Sequence, residues 1–212
     1  MYISLGSTCS VKYQLRNNNI DIETLPFDWV RTIDLEDIND CIQNNFIDYT
    51  NNIIQISISD KFNYIQDDTF DISNTEVKTY IVKNKYNIKF YHDLKSLDQS
   101  ELENFKQKYQ RRIDRFYNII KSNNKITFIR DELNIKKITI DKIYQFIKLI
   151  QNINKDILIN FILILYNPNN INYDHLKLTN VNNINLRIIN DTNDFGDWIR
   201  PNIRWKQLFF NQ

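Results

Sequence analysis

Residues Ile157 to Tyr166 form an apolar run interrupted only by Asn160. The run is too short to span a bilayer and too uniform for a strand with one face in water. It reads as a central strand buried on both faces, and a layered fold with helices above and below is what covers such a strand. The flanking text supplies those helices. Leu97 to Lys121 places Leu102, Phe105, Tyr109, Ile113, Phe116 and Ile120 at spacings of three and four, with Asp98 or Ser100 as its cap. Asp141 to Ile153 repeats the pattern through Ile143, Tyr144, Ile147 and Ile150. Lys125 to Arg130 and Leu186 to Ile189 read as further strands. Helices alternating with apolar strands predict an α/β fold in three layers, a mainly parallel sheet between helices, with residues 1–212 as one domain.

The N-terminal half starts the same way. Tyr2 to Leu5, then Gly6, then Ser7 ahead of Val11, Tyr13 and Leu15 read as strand, tight turn and helix, ending at Asn17-Asn18-Asn19. Asp34 to Phe46 is a second helix whose stripe of Leu35, Ile38, Cys41 and Ile42 puts Cys41 in the core. Between Ile53 and Phe90, alternation such as Ile54-x-Ile56-x-Ile58 and the Thr79 to Val82 segment predict some short extra strands. Only two glycines are present, Gly6 and Gly196, so turns must be built from Asn and Asp. Gly6 precedes Cys9 by three residues, where a missing side chain lets the backbone turn sharply and approach a ligand.

Charge excludes several functions. Twenty-seven basic against 26 acidic residues give no global drive towards nucleic acid or an anionic membrane. No leader or membrane-spanning segment is evident, and two cysteines make no disulfide framework, so a cytoplasmic protein with reduced thiols is expected. Two histidines and two cysteines far apart offer no metal-ligand spacing, and no cofactor is expected.

In a parallel α/β sheet, ligands collect beyond the carboxyl ends of strands. Ser7-Thr8-Cys9, His92-Asp93, Arg130-Asp131-Glu132 and Asn167 all follow apolar runs. Cys9 falls in the first turn of a helix, where unpaired amides and the helix dipole favour a thiolate, lower its pKa below about 7.5 and can hold an oxyanion. A thiolate nucleophile needs a base, and His92, at a strand end, suits better than His175 in an Asn-rich stretch. Asp131 is the first choice to orient His92, because its strand is expected to neighbour the His92 strand; Asp28 and Asn167 stay open. The plain alternatives are a packed cysteine, a strand-terminal histidine and carboxylates serving as caps. Lys108, Arg111, Arg112 and Arg115 lie on one face of the long helix and read as a solvated face paired with Glu101, Glu103 and Asp114; Arg130 is the better anion ligand.

Read together, the segments Ser4 to Arg16, Leu25-Pro26-Phe27-Asp28-Trp29, Tyr91-His92-Asp93, Lys108-Tyr109-Gln110-Arg111-Arg112-Ile113, Phe128-Ile129-Arg130-Asp131, Asp197-Trp198 and Trp205 to Phe209 resemble the DUF1796 family of papain-like cysteine peptidases. The resemblance covers most of the chain and extends to members in bacteria and large DNA viruses. It implies Cys9 as nucleophile and His92 as general base, with no known substrate. Gly6, Ser7, Thr8, Asp28, Trp29, Asp93 and Arg130 are then the candidate binding residues. The reading is a cysteine hydrolase or acyl transferase acting on a peptide or small molecule. The competing reading is a non-catalytic nucleotide- or sugar-phosphate-binding module, with the Gly6 turn and Arg130 cradling the anion.

Overall fold

The computed structural model describes residues 1–20, 23–62, 64–65, 77–176, 184–192 and 198–210. In chain order the elements are β1 (Tyr2–Ser4), α1 (Ser10–Asn17), β2 (Val30–Arg31), α2 (Leu35–Gln43), β3 (Ile54–Phe62), β4 (Val77–Lys83), β5 (Lys89–Phe90), α3 (Gln99–Ser122), β6 (Lys125–Glu132), α4 (Ile140–Ile153), β7 (Leu158–Tyr166), β8 (Ile184–Asp191) and α5 (Trp205–Phe210).

β1, β6, β7 and β8 form a parallel sheet in that order, with Ile3, Phe128, Phe161 and Leu186 in register across it. The apolar run is the inner strand β7, as its composition requires. Alternation along the strands sends Phe128 and Phe161 to one face, where both meet Phe146 of α4, at ring centroids 4.9 and 5.8 Å apart. Ile129, Ile162 and Ile164 point to the other face and pack with Val11 and Leu15 of α1 and with Trp205, Leu208 and Phe209 of α5. The three expected layers are therefore present, with β1 and α1 on the side that carries Cys9. Side-chain caps start the helices: Asp34 closes a capping box on α2, Asp98 accepts from the Glu101 amide at 2.9 Å, and Thr139 accepts from that of Lys142 at 3.3 Å. Each such cap stabilises its helix by about 1 kcal/mol.

The extra strands of residues 53–90 join β2 in a separate antiparallel sheet, ordered β2-β5-β4-β3. This corrects the expected neighbour of His92. Its strand, β5, does not lie beside β6, which is flanked by β1 and β7. The cause is a turn. Asn84 accepts from the amides of Tyr86 and Ile88 at 3.0 and 3.1 Å, and Asn87 takes φ of 58°, so the chain reverses and β5 pairs back onto β4. Asn and Asp replace glycine as turn residues more widely: Asn19, Asn45, Asp48, Asn52 and Asn170 also have positive φ. Gly196 and its neighbours Asp194, Phe195 and Asp197 lie outside the described residues.

Candidate active site

β1 ends at Ser4, and the chain crosses the sheet edge through Leu5 to Thr8 before α1 begins with Cys9 at its N-cap. Gly6 is required in this crossing by a close approach rather than by its φ, which is not positive. A Cβ there would collide with the carbonyl oxygen of Thr8 and stand 3.3 Å from that of Phe27. His92 follows β5 in the other sheet. The two segments meet, and Cys9 Sγ lies 3.8 Å from His92 Nε2. The imidazole sits edge-on to Phe62 and Trp29, with ring centroids 5.6 and 6.5 Å away. Two aromatic walls from β3 and from the chain before β2 thus limit how the ring can turn.

Asp131 takes a different place from the one expected. Its Oδ1 accepts from the amides of Ser7 and Thr8 at 3.1 and 3.2 Å, and its Oδ2 accepts from the hydroxyls of Thr8 and of Ser10, the latter at 2.8 Å. Asp131 therefore ties the turn that presents Cys9, because β6 lies beside β1 and not beside β5. The Ser10 amide donates to Thr8 Oγ1 at 3.2 Å. Among the described residues, the Cys9 amide is then the one in 7–10 that donates to none of these acceptors.

Arg130 supports the turn from a fully buried position, with Nη2 the one guanidinium nitrogen that has no hydrogen-bond partner among the described residues. Its guanidinium donates to Glu132 Oε2 at 2.8 Å, to the Leu5 carbonyl at 2.9 Å and to Thr32 Oγ1 at 2.8 Å. Thr32 in turn donates to the Gly6 carbonyl at 2.7 Å. At this turn the Ser7 and Thr8 amides are filled by Asp131, and Arg130 is paired with Glu132.

The electrostatics reverse the expected thiolate. Burial, then Asp131, Asp93 and Asp28, push the Cys9 thiol up to about 12, with Arg31 opposing. Burial and the three carboxylates outweigh the pull of the helix start, so the neutral thiol is favoured. Cys41 is fully buried in the main core, as its stripe predicted.

Asp28 and Asp93 are each buried against cations. Lys12 Nζ lies 2.8 Å from Asp28 Oδ2 and donates to the Glu23 carbonyl at 2.8 Å, while the Leu25 amide donates to Asp28 at 2.6 Å. Asp93 Oδ1 stands 2.8 Å from Lys108 Nζ and 3.8 Å from the Arg112 guanidinium, and the Tyr109 hydroxyl donates to Oδ2 at 3.2 Å. Burial works to raise the Asp93 pKa, but the two cations outweigh it and hold the carboxyl below its usual range. Lys108 and Arg112 are thus buried ligands of Asp93, which corrects their reading as a solvated face. The signal was in the helix: with Phe105 and Phe116 they run at spacings of three, four and four, inside the apolar stripe. Asn167 is used locally, bonding the Ile171 backbone through both ends of its amide, and His175 is exposed.

Residues 1–169 match the family model described as "Putative papain-like cysteine peptidase (DUF1796)". The chain belongs to the DUF1796 family. It is also 34% identical over 220 residues to "Uncharacterized protein R408" of Acanthamoeba polyphaga mimivirus, covering 100% of this chain and 98% of that one. No solved structure matches it. The DUF1796 match contains Cys9, His92, Asp93, Lys108 and Asp131. The segment beyond it still supports the site, because Gln14 of α1 donates to the Ile199 carbonyl at 2.6 Å and Tyr13 packs edge-on against Trp198. Among the described residues, no helix is long and apolar enough to cross a membrane, and no group of three or more His, Cys, Asp or Glu is placed to hold a metal ion.

Proposed function

We propose that the chain is a cysteine-dependent hydrolase or acyl transferase of peptidase type, with Cys9 as nucleophile and His92 as general base. The observation that supports this reading is the 3.8 Å approach of Cys9 Sγ to His92 Nε2 between segments 83 residues apart. Because burial and the surrounding carboxylates hold the thiol neutral, the resting pair is thiol and imidazole, and proton transfer accompanies attack. His92 Nε2 accepts the thiol proton as sulfur bonds to the carbonyl carbon and the carbonyl π electrons move to oxygen. The Cys9 amide faces no competing acceptor in its turn and donates to that oxyanion. Collapse expels the amine or alcohol, which takes the proton from His92, and leaves a thioester on Cys9. Water, or an acceptor in a transferase, then attacks the thioester; His92 takes its proton and returns it to the departing thiolate. Asp93, which is electrostatically coupled to His92, favours the imidazolium formed at each step.

The protein works as one domain over residues 1–212, on a peptide or small acyl substrate, in the cytoplasm, where both of its free cysteines stay reduced. The test is alkylation of Cys9 by iodoacetamide, followed by peptide mass spectrometry. His92→Ala is expected to slow labelling of Cys9 by about tenfold or more. Equal rates in both proteins, at the speed of an unassisted thiol, would overturn the assignment.

A further inference from the structure

His92 lies on a segment without regular structure, between the end of β5 at Phe90 and the start of α3 at Gln99. The hold on its imidazole therefore comes from tertiary contacts, and these close a ring. The His92 carbonyl accepts from the Ile65 amide at 2.7 Å, and the Ile65 carbonyl accepts from Lys108 Nζ at 2.9 Å. The same ammonium stands 2.8 Å from Asp93 Oδ1, and Asp93 is covalently next to His92. Tyr109 and Arg112 brace the same carboxylate from α3.

A lysine, an arginine and an aspartate with side chains 4%, 0% and 1% exposed are not what core stability calls for. Apolar side chains of similar volume generally stabilise a core at least as well, whereas charges with fixed partners define one geometry. Here the geometry defined is that of the His92 backbone. We infer that Lys108, acting with Asp93, Tyr109 and Arg112, is a positioning residue that sets the His92 imidazole against Cys9. The inference rests on the Cys9–His92 reading. None of the four residues touches reacting atoms; Lys108, Tyr109 and Arg112 act through Asp93 and the segment that carries His92.

The test uses the full chain and needs no substrate. Lys108→Met and Tyr109→Phe are compared with the parent and with His92→Ala by iodoacetamide labelling of Cys9. The His92 ring signals are followed by 1H–13C NMR, with His175 as the internal control. Lys108→Met is expected to slow labelling by on the order of tenfold, the scale of a small misplacement of a catalytic group. Tyr109→Phe, which removes one hydrogen bond and no charge, is expected to slow it by about twofold to threefold. In both variants the His92 signals move or broaden while those of His175 stay in place. A folded Lys108→Met protein with parental labelling and unmoved His92 signals overturns the inference. If Lys108→Met does not fold, the same result in Tyr109→Phe overturns it. Failure of the underlying reading shows separately, as labelling that His92→Ala leaves unchanged; the His92 signals then still decide whether Lys108 positions the ring.

Discussion

Asp131 reaches from β6 across the sheet edge to accept the backbone amide of Ser7 at 3.1 Å, two residues before Cys9. That bond joins positions 124 apart in the chain and belongs to a set that uses both carboxylate oxygens. It holds the turn before Cys9 in shape and also raises the Cys9 pKa, second only to burial. The two effects separate on mutation.

Asp131→Asn removes the charge and leaves one good acceptor where there were two. Stability is expected to fall by about 2 kcal/mol, as when a buried charged acceptor is lost, read from urea denaturation. Deleting a negative charge favours the thiolate, so the pH midpoint of Cys9 alkylation is expected to drop. An unchanged or higher midpoint would show that Asp131 does not act on the thiol.

Gly6→Ala tests the packing of the same turn. The new methyl meets the Thr8 carbonyl, which is backbone in a turn pinned by Asp131 and cannot swing away as a side chain would. Overpacking of this kind costs about 1–3 kcal/mol. Cys9 labelling is expected to fall together with stability. A variant as stable and as reactive as the parent would mean that the turn relaxes freely.

The layers were legible in the residues because α3, α4, β6 and β7 carry strong periodicity or long apolar runs, which packing reinforces. The meeting of Cys9 and His92 was legible because a thiol at a helix start and a histidine after a strand are scarce residues in suggestive places. What lay out of sight was through-space. The Asn84 turn decides which sheet receives His92, and a single sequence shows the turn residue without showing the partner strand. Lys108 and Arg112 read as surface because cations usually are, although their spacing put them in the buried stripe. The neighbour of Asp131 is hidden for the same reason, since β6 lies beside β1 and β7 and not beside β5.

Alkaline pH should destabilise the protein, and the sign follows from the Cys9 shift. Its pKa is about 12 when folded against an ordinary 9.0, so below 9.0 both states hold the proton and the folded state keeps its full advantage. As pH rises from 9.0 towards 12, the unfolded chain releases the proton first and stability declines. Cys41, Tyr49 and Tyr109, raised chiefly by burial, act in the same direction. Urea midpoints on either side of pH 9.0 should fall with pH, and Cys9→Ser should flatten the slope by the share of one group. A slope as steep in Cys9→Ser as in the parent would place the alkaline sensitivity elsewhere.

Trp205→Ala tests whether the segment beyond the family match helps to hold the Cys9 segment in place. Trp205 stacks on Phe209 with centroids 5.8 Å apart and donates from its indole to the Arg200 carbonyl at 3.0 Å. It belongs to the cluster that covers Val11 and Leu15, the buried side of the helix that begins at Cys9. Removing a buried tryptophan costs about 3–5 kcal/mol and leaves a cavity in the cluster that packs on α1. Both thermal stability and Cys9 labelling should fall, the latter because the packing on α1 loosens while Asp131 holds only the turn at its start. If stability falls and the labelling rate of the folded fraction does not, α1 is held by the sheet and Asp131 alone, and the C-terminal segment is a structural cover with no part in the site.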